Sequence, residues 1–216
     1  MAKTAIILGA TGLTGSILLQ RLLDDDSIST IKLFSRSSSN VKNPKVEEHL
    51  IDMFELESQT EHFTGDVVFC CIGTTKSKTP DKDTYKKIDY GIPVTAAKLA
   101  KQNSISQFIV ISALGANPES SVFYNKVKGE MERDVLQQNI SETYILQPSL
   151  IGGDRSESRT GESIAQFFAK VFGFLIQKKY KMIEPETIAK AMQNLISKTY
   201  SEQRITSEKI KEIAAT

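Results

Sequence analysis

Three glycines spaced three residues apart, Gly9, Gly12 and Gly15, separate the apolar run at residues 5–8 from a stretch whose apolar residues recur at helical spacing. That order constrains the fold more than any other feature of the chain. A short run of Ala, Ile and Leu reads as a strand buried on both faces of a parallel sheet. Leu18, Leu19 and Leu22 then form one stripe that stops at Asp24, Asp25 and Asp26, the pattern of an amphipathic helix packed on that sheet. Glycine at the junction permits a tight turn, close approach of the backbone to a ligand and close packing of helix on strand. The free N–H groups and positive dipole end of the following helix favour an anion. The turn at Gly9, Gly12 and Gly15 is therefore expected to hold the pyrophosphate of a dinucleotide. The reading rests on the strand before and the helix after, since glycine spacing alone also describes a plain tight turn.

The alternation continues. Strand-like runs recur at 31–34, 46–51, 67–72, 108–111 and 144–146, with helical stretches at 54–62, 85–102 and 122–138 between them. Repeated β-α-β units with right-handed crossovers build one parallel sheet. The expected fold is α/β, a doubly wound parallel sheet of Rossmann type. After Pro148 come a polar loop at 152–161, an amphipathic helix at 162–177 and the basic residues Lys178, Lys179 and Lys181. A helix is then expected from Pro185, a short strand near Ile205 and a terminal helix capped by Ser207. The 216 residues are read as a single domain, with 149–216 contributing a small C-terminal helical lid on the substrate side.

Composition excludes several classes. Lys plus Arg number 27 against 26 Asp plus Glu, a net charge of +1, which removes the basic excess that nucleic-acid or anionic-membrane binding needs. The apolar stretch 164–176 is broken by Gln166 and Lys170 and is too short for a membrane span. Cys70 and Cys71 are neighbours in a strand-like run, so their side chains point to opposite faces and no disulfide is expected. His49 and His62 lie far apart in sequence without a second cysteine pair, so no metal site is expected. The N-terminus lacks the pattern of a secretory signal, and a cytoplasmic location is expected.

Arg36 stands at the end of the second strand, where an Asp or Glu would meet a free ribose 2′-hydroxyl. An arginine fork flanked by Ser35 and Ser37 suits a 2′-phosphate instead, so NADP(H) is expected, with NAD(H) as the alternative. Asp52, closing the third strand, suits either the adenine amino group or the N-cap of the next helix. Tyr124 and Lys128 are spaced i and i+4, which on a helix places both on one face. An ammonium beside a phenol favours phenolate and so fits the phenol for proton transfer. Ser112, at the end of the fifth strand, is positioned to hydrogen-bond a substrate carbonyl. A solvated Tyr/Lys helix face would show the same spacing.

Gly9, Gly12, Gly15, Ser112 and the Tyr124/Lys128 pair resemble the short-chain dehydrogenase/reductase superfamily in its atypical branch. Phe69-Cys70-Cys71-Ile72-Gly73-Thr74-Thr75, the run 124–130 and Asp154-Arg155-Ser156-Glu157-Ser158-Arg159-x-Gly161-Glu162 together resemble the Tat-interacting-protein group of NADPH-binding oxidoreductases. That resemblance implies that residues 11–14 cradle the pyrophosphate and that Arg36 with Ser37 holds the 2′-phosphate. It further implies that Ile72 and Gly73 line the ribose, that Tyr124 is the active-site acid with Lys128 on the nicotinamide ribose, and that Ile151 and Arg159 close the far side. The chain departs from the pattern at Leu13, where an acidic residue occurs, and at Ser37, which replaces a second arginine.

Arg155 and Arg159, four apart, suit an anion clamp on substrate or cofactor, or simply a soluble loop paired with Glu157. The expected function is NADP(H)-dependent oxidation or reduction of a small alcohol or carbonyl compound. The alternatives are an NADPH-occupied sensor acting through a protein partner, and nucleotide-sugar chemistry with retained NAD. Helices 85–102 and 122–138 are the expected faces of a homodimer.

Overall fold

The computed structural model describes residues 2–152 and 182–216. Lys3–Leu8, Ile28–Ser35, Val46–Leu50, Val67–Cys70, Gln107–Ile111, Glu142–Gln147 and Arg204–Thr206 form strands β1 to β7. They make one parallel sheet in the order β3-β2-β1-β4-β5-β6-β7. The fold is the doubly wound Rossmann type expected from the alternating pattern.

Both faces of the sheet are covered, as its apolar strands require. Ala5 and Ile7 of β1 pack with Leu18, Leu19 and Leu22 of helix α1, Leu13–Leu23. Helices α5, Pro185–Asn194, and α6, Ser207–Ala215, add Ile188, Met192 and Ile210 to that layer. Ile6 and Leu8 point the other way, toward helices α3, Ile92–Gln102, and α4, Phe123–Leu136. Cys70 belongs to this second layer while Cys71 packs against the first, and both thiols are free.

Several elements differ from the sequence reading. The helix expected at 85–102 is three pieces: a short helix α2, Lys82–Lys86, a π-turn at Lys87–Gly91, and α3. Pro93 has no N–H to offer the carbonyl four residues earlier, which releases the turn to widen. The stretch expected at 54–62 is a 3₁₀ helix, Met53–Gln59, bent at Glu55. The terminal helix is capped by Thr206, which accepts from the Lys209 N–H at 3.4 Å, because Ser207 instead shares a 2.9 Å hydrogen bond with Ser149.

Within the segment expected as a lid, β7 extends the sheet beside β6, helix α5 packs on α1, and α6 packs on α5 and the end of the sheet. Ile151 and Ile183 form a parallel bridge, with Gly152 N–H donating to the Ile183 carbonyl at 2.9 Å. Residues 153–181, which contain Arg155, Arg159 and the expected helix 162–177, lie outside the described residues.

No described helix is long and apolar enough to cross a membrane. The exposed large apolar side chains among the described residues are Leu50, Phe54 and Met182. None lies on α3 or α4, and nothing among the described residues supports the expected homodimer.

The two histidines, distant in sequence, meet at the outer edge of the sheet. His49 stacks on Phe34 with ring centroids 4.6 Å apart, and the His62 ring lies 5.2 Å from His49. Burial pulls the His49 pKa below its ordinary value, and His62 and Lys32 add to the effect. The unfolded chain therefore takes up this proton first on acidification. The resulting stability is complete above pH ~6.5 and is lost as the pH falls below it. Urea midpoints measured from pH 7.5 to 5.5 are expected to fall, and His49→Phe is expected to flatten that slope.

Candidate cofactor-binding and active site

Every strand is parallel, so Gly9, Arg36, Asp52, Ile72 and Ser112, each just past a strand, lie along one edge of the sheet. The strand order reverses between β1 and β4, which opens the crevice where ligands of such sheets bind. At that point Gly9 adopts φ +86° and a Cβ there would lie 3.0 Å from the Cys71 carbonyl. A Cβ at Gly15 would overlap the Gly9 carbonyl oxygen. Backbone therefore meets backbone, and glycine is required at both positions.

Gly12 N–H donates to Gly9 O at 3.0 Å, Leu13 opens α1 and Thr14 is buried beneath the turn, whereas Thr11 is exposed. No side chain caps α1 and no acidic residue stands in its first turn. Its N–H groups suit an anion, so these residues fit a pyrophosphate.

Arg36 and Ser37 are exposed immediately after β2. The next residues are fixed by Glu48 of β3, which accepts from Ser38 Oγ at 2.6 Å, Ser39 N–H at 2.7 Å and Ser39 Oγ at 2.6 Å. Burial opposes the Glu48 charge, but the hydrogen bonds from Ser38 and Ser39 hold its carboxyl below the ordinary range. Between this loop and α1 is a cavity of about 300 Å³ lined by Thr11, Ser16, Gln20, Ser38 and Ser39. Asp52 caps the 3₁₀ helix, with one carboxylate oxygen accepting from Phe54 N–H at 2.9 Å.

Above β4 and β5 lies a buried ion pair. Lys128 Nζ is 2.8 Å from Asp89 Oδ1, with the side chains 5% and 1% exposed. The other Asp89 oxygen accepts from Thr74 N–H at 2.8 Å. Gly73 borders this pair, since a Cβ there would lie 3.7 Å from Asp89 Oδ1 and 4.0 Å from Lys128 Nζ. Burial opposes the Lys128 charge, but Asp89, with Tyr124 assisting, holds its pKa above the ordinary lysine value.

Tyr124, part-exposed one turn before Lys128 on α4, also acts electrostatically on Tyr85. Tyr85 is buried, which pushes its phenol up, and its hydroxyl donates to Thr74 O at 3.3 Å. Beneath the pair, burial pushes the Cys70 thiol up to about 11. The height of α4 is set by Gly129, where a Cβ would overlap the backbone of Asn117 and Pro118.

The structure thus gathers Gly73, Tyr124 and Lys128 into one corner, and the glycine turn, Ile72 and Arg36 along the same edge. Ser112 faces elsewhere: its hydroxyl donates to Glu132 at 2.5 Å, which leaves it no proton for a substrate carbonyl in this arrangement. Ile151 is held in the bridge to Ile183. Among the described residues no three His, Cys, Asp or Glu side chains gather as a metal site.

Asp89 and Glu132 are absent from the sequence reading. The signal was present: Asp89 sits on the apolar stripe of Tyr85, Ile92 and Ala96, where a carboxylate must be buried with a partner.

A family model described as NAD(P)H-binding matches residues 9–167. The chain belongs to this NAD(P)H-binding family. It is 33% identical to Protein FMP52, mitochondrial, of Candida albicans, over 87% of this chain and 85% of that protein. It is 34% identical to Protein HTATIP2 of Rattus norvegicus, over 80% of this chain and 72% of that protein. The resemblance to the Tat-interacting-protein group read from the motifs holds. A UDP-glucose 4-epimerase from Thermotoga maritima superposes with TM-score 0.70 at 13% identity, covering 98% of this chain and 81% of that one. MoeE5 in complex with UDP-glucuronic acid and NAD gives TM-score 0.70 at 14% identity, covering 93% and 74%. These two likenesses show the fold.

The expected cytoplasmic location is overturned, because FMP52 relatives from Candida albicans, Scheffersomyces stipitis and Aspergillus niger are named mitochondrial. The lack of a secretory pattern did not address that compartment, whose import signals are amphipathic and Arg-rich rather than apolar.

Removing Asp89 leaves a buried ammonium unpaired, so Asp89→Ala is expected to lower unfolding free energy by about 3–5 kcal/mol. Urea unfolding at pH 7 measures it.

Proposed function

We propose that this NAD(P)H-binding chain is an NADP(H)-dependent oxidoreductase acting on a small carbonyl compound or the matching alcohol. The observation that carries the reading is the buried Lys128–Asp89 pair on the helix that presents Tyr124, beside Gly73 and the crevice between β1 and β4. A charged lysine that the fold neutralises with a buried carboxylate is expensive as mere structure and is typical of a functional site.

Residues 11–14 and the N-terminus of α1 would bind the pyrophosphate, and Ile72 with Gly73 would line the ribose. Arg36 with Ser37 would hold the 2′-phosphate beside the Ser38 and Ser39 cavity. The cofactor, when bound, would supply the hydride. Tyr124 would donate its proton to the carbonyl oxygen, and Lys128, fixed by Asp89, would hold the nicotinamide ribose and order the phenol. The alcohol product then leaves, and Tyr124 is reprotonated from solvent.

Tyr124→Phe is expected to reduce carbonyl turnover by about a hundredfold or more while NADPH still binds. A fluorescence titration checks binding, and unchanged turnover removes Tyr124 from the chemistry. Arg36→Glu is expected to weaken NADPH about tenfold or more and NADH far less, since only the former carries the phosphate that an arginine fork pairs with. Equal losses for both cofactors would count against the 2′-phosphate role.

A further inference from the structure

Side chains alternate along β5, with Phe108 and Val110 facing α4 and Ile109 the opposite layer. Ser112, next in that alternation, faces α4 too. It meets Glu132, one turn past Lys128, rather than the Tyr124 end of the helix. Glu132 is 2% exposed. Besides the Ser112 hydroxyl at 2.5 Å, its carboxylate accepts from Gln147 Nε2 at 2.9 and 3.0 Å and from Arg204 Nε at 2.9 Å. Gln147 ends β6 and Arg204 opens β7, so one carboxylate ties α4 to three neighbouring strands.

A serine hydroxyl has one proton, and a carboxylate holds it more strongly than a neutral carbonyl does. Arg204 and Gln147 occupy the remaining acceptor sites of Glu132, which keeps its charge localised and its geometry fixed. Building on the oxidoreductase reading, we propose that Glu132 is a positioning residue that withholds the Ser112 proton and holds α4 in place. Tyr124 is then the single hydroxyl among the assigned residues that protonates the substrate oxygen, and the site takes activated carbonyls such as α-dicarbonyls.

The substrate class follows from the missing donor. One donor fewer at a developing oxyanion lowers rate by about 10²–10³-fold. A carbonyl made electron-poor by an adjacent carbonyl needs that donor least. The balance is unaltered: hydride adds to one carbonyl carbon, the Tyr124 proton adds to its oxygen, NADPH becomes NADP⁺, and an α-hydroxyketone forms.

The test compares butane-2,3-dione with butan-2-one under NADPH. The wild-type protein is expected to reduce the dione with a kcat/KM about a hundredfold or more above that for the monoketone; equal values overturn the substrate class. Ser112→Ala is expected to keep kcat for the dione within about threefold, whereas a loss of about a hundredfold at unchanged melting temperature returns Ser112 to the chemistry and overturns the proposal. Glu132→Ala is expected to lower kcat about tenfold with little change in KM, and Glu132→Gln, which keeps an acceptor for Ser112, to recover most of it. An equal fall in both variants with KM rising instead overturns the positioning role.

If neither compound is reduced, the oxidoreductase reading fails. The clamp is still decided by urea unfolding of Ser112→Ala, Glu132→Ala and the double variant. Non-additivity of about tenfold in the unfolding constant supports it and additivity overturns it.

Discussion

The closest constraint in this molecule is backbone against backbone at the start of α1. Gly15 sits against the Gly9 carbonyl, and Gly9, at positive φ, sits against the Cys71 carbonyl. These contacts bring the end of β1, the end of β4 and the first turn of α1 to one point. They also leave that turn without a capping side chain. The tight junction of β1 with α1 and the packing of Leu18, Leu19 and Leu22 on β1 follow from Gly9 and Gly15.

The second organising feature is the placing of charge under the crevice. Lys128 pairs with Asp89, and Glu132, one turn further along α4, with Arg204. The Lys128–Asp89 pair is buried on both sides and contributes little net stability, because desolvation offsets most of the attraction, whereas Arg204 reaches Glu132 from a half-exposed position. Each does fix geometry: Asp89 spans the π-turn, the loop at Thr74 and α4, while Glu132 spans α4 and the ends of β5 and β6. Helix α4 is thereby held at both ends of its working face, and the close fit of Gly129 on the backbone at 117–118 sets its height.

Local signals were strong for the first half of the fold and weak for the polar contacts. The apolar runs and the stripe on α1 are periodic patterns that a short window carries, so the strands and the glycine turn were legible. The π-turn was hidden because Pro93 suits the first turn of a helix as well as a break before one. Thr206 rather than Ser207 caps α6 because Ser149, distant in the chain, claims the Ser207 hydroxyl. The short strand near Ile205 was legible as a strand, but its place at the edge of the sheet is decided only by pairing with β6.

The sequence by itself determined the parallel α/β architecture, the glycine turn and the shared helix face of Tyr124 and Lys128, since each depends on residues close together along the chain. Only the tertiary structure decided the partners of the charged and hydroxyl groups. Asp89 reaches Lys128, Glu132 takes Ser112, and His49 meets His62, all across gaps that no local pattern spans. A hydrogen bond is settled by which donor lies within three ångströms of the acceptor, and that distance exists only once the sheet has brought its strand ends to one edge.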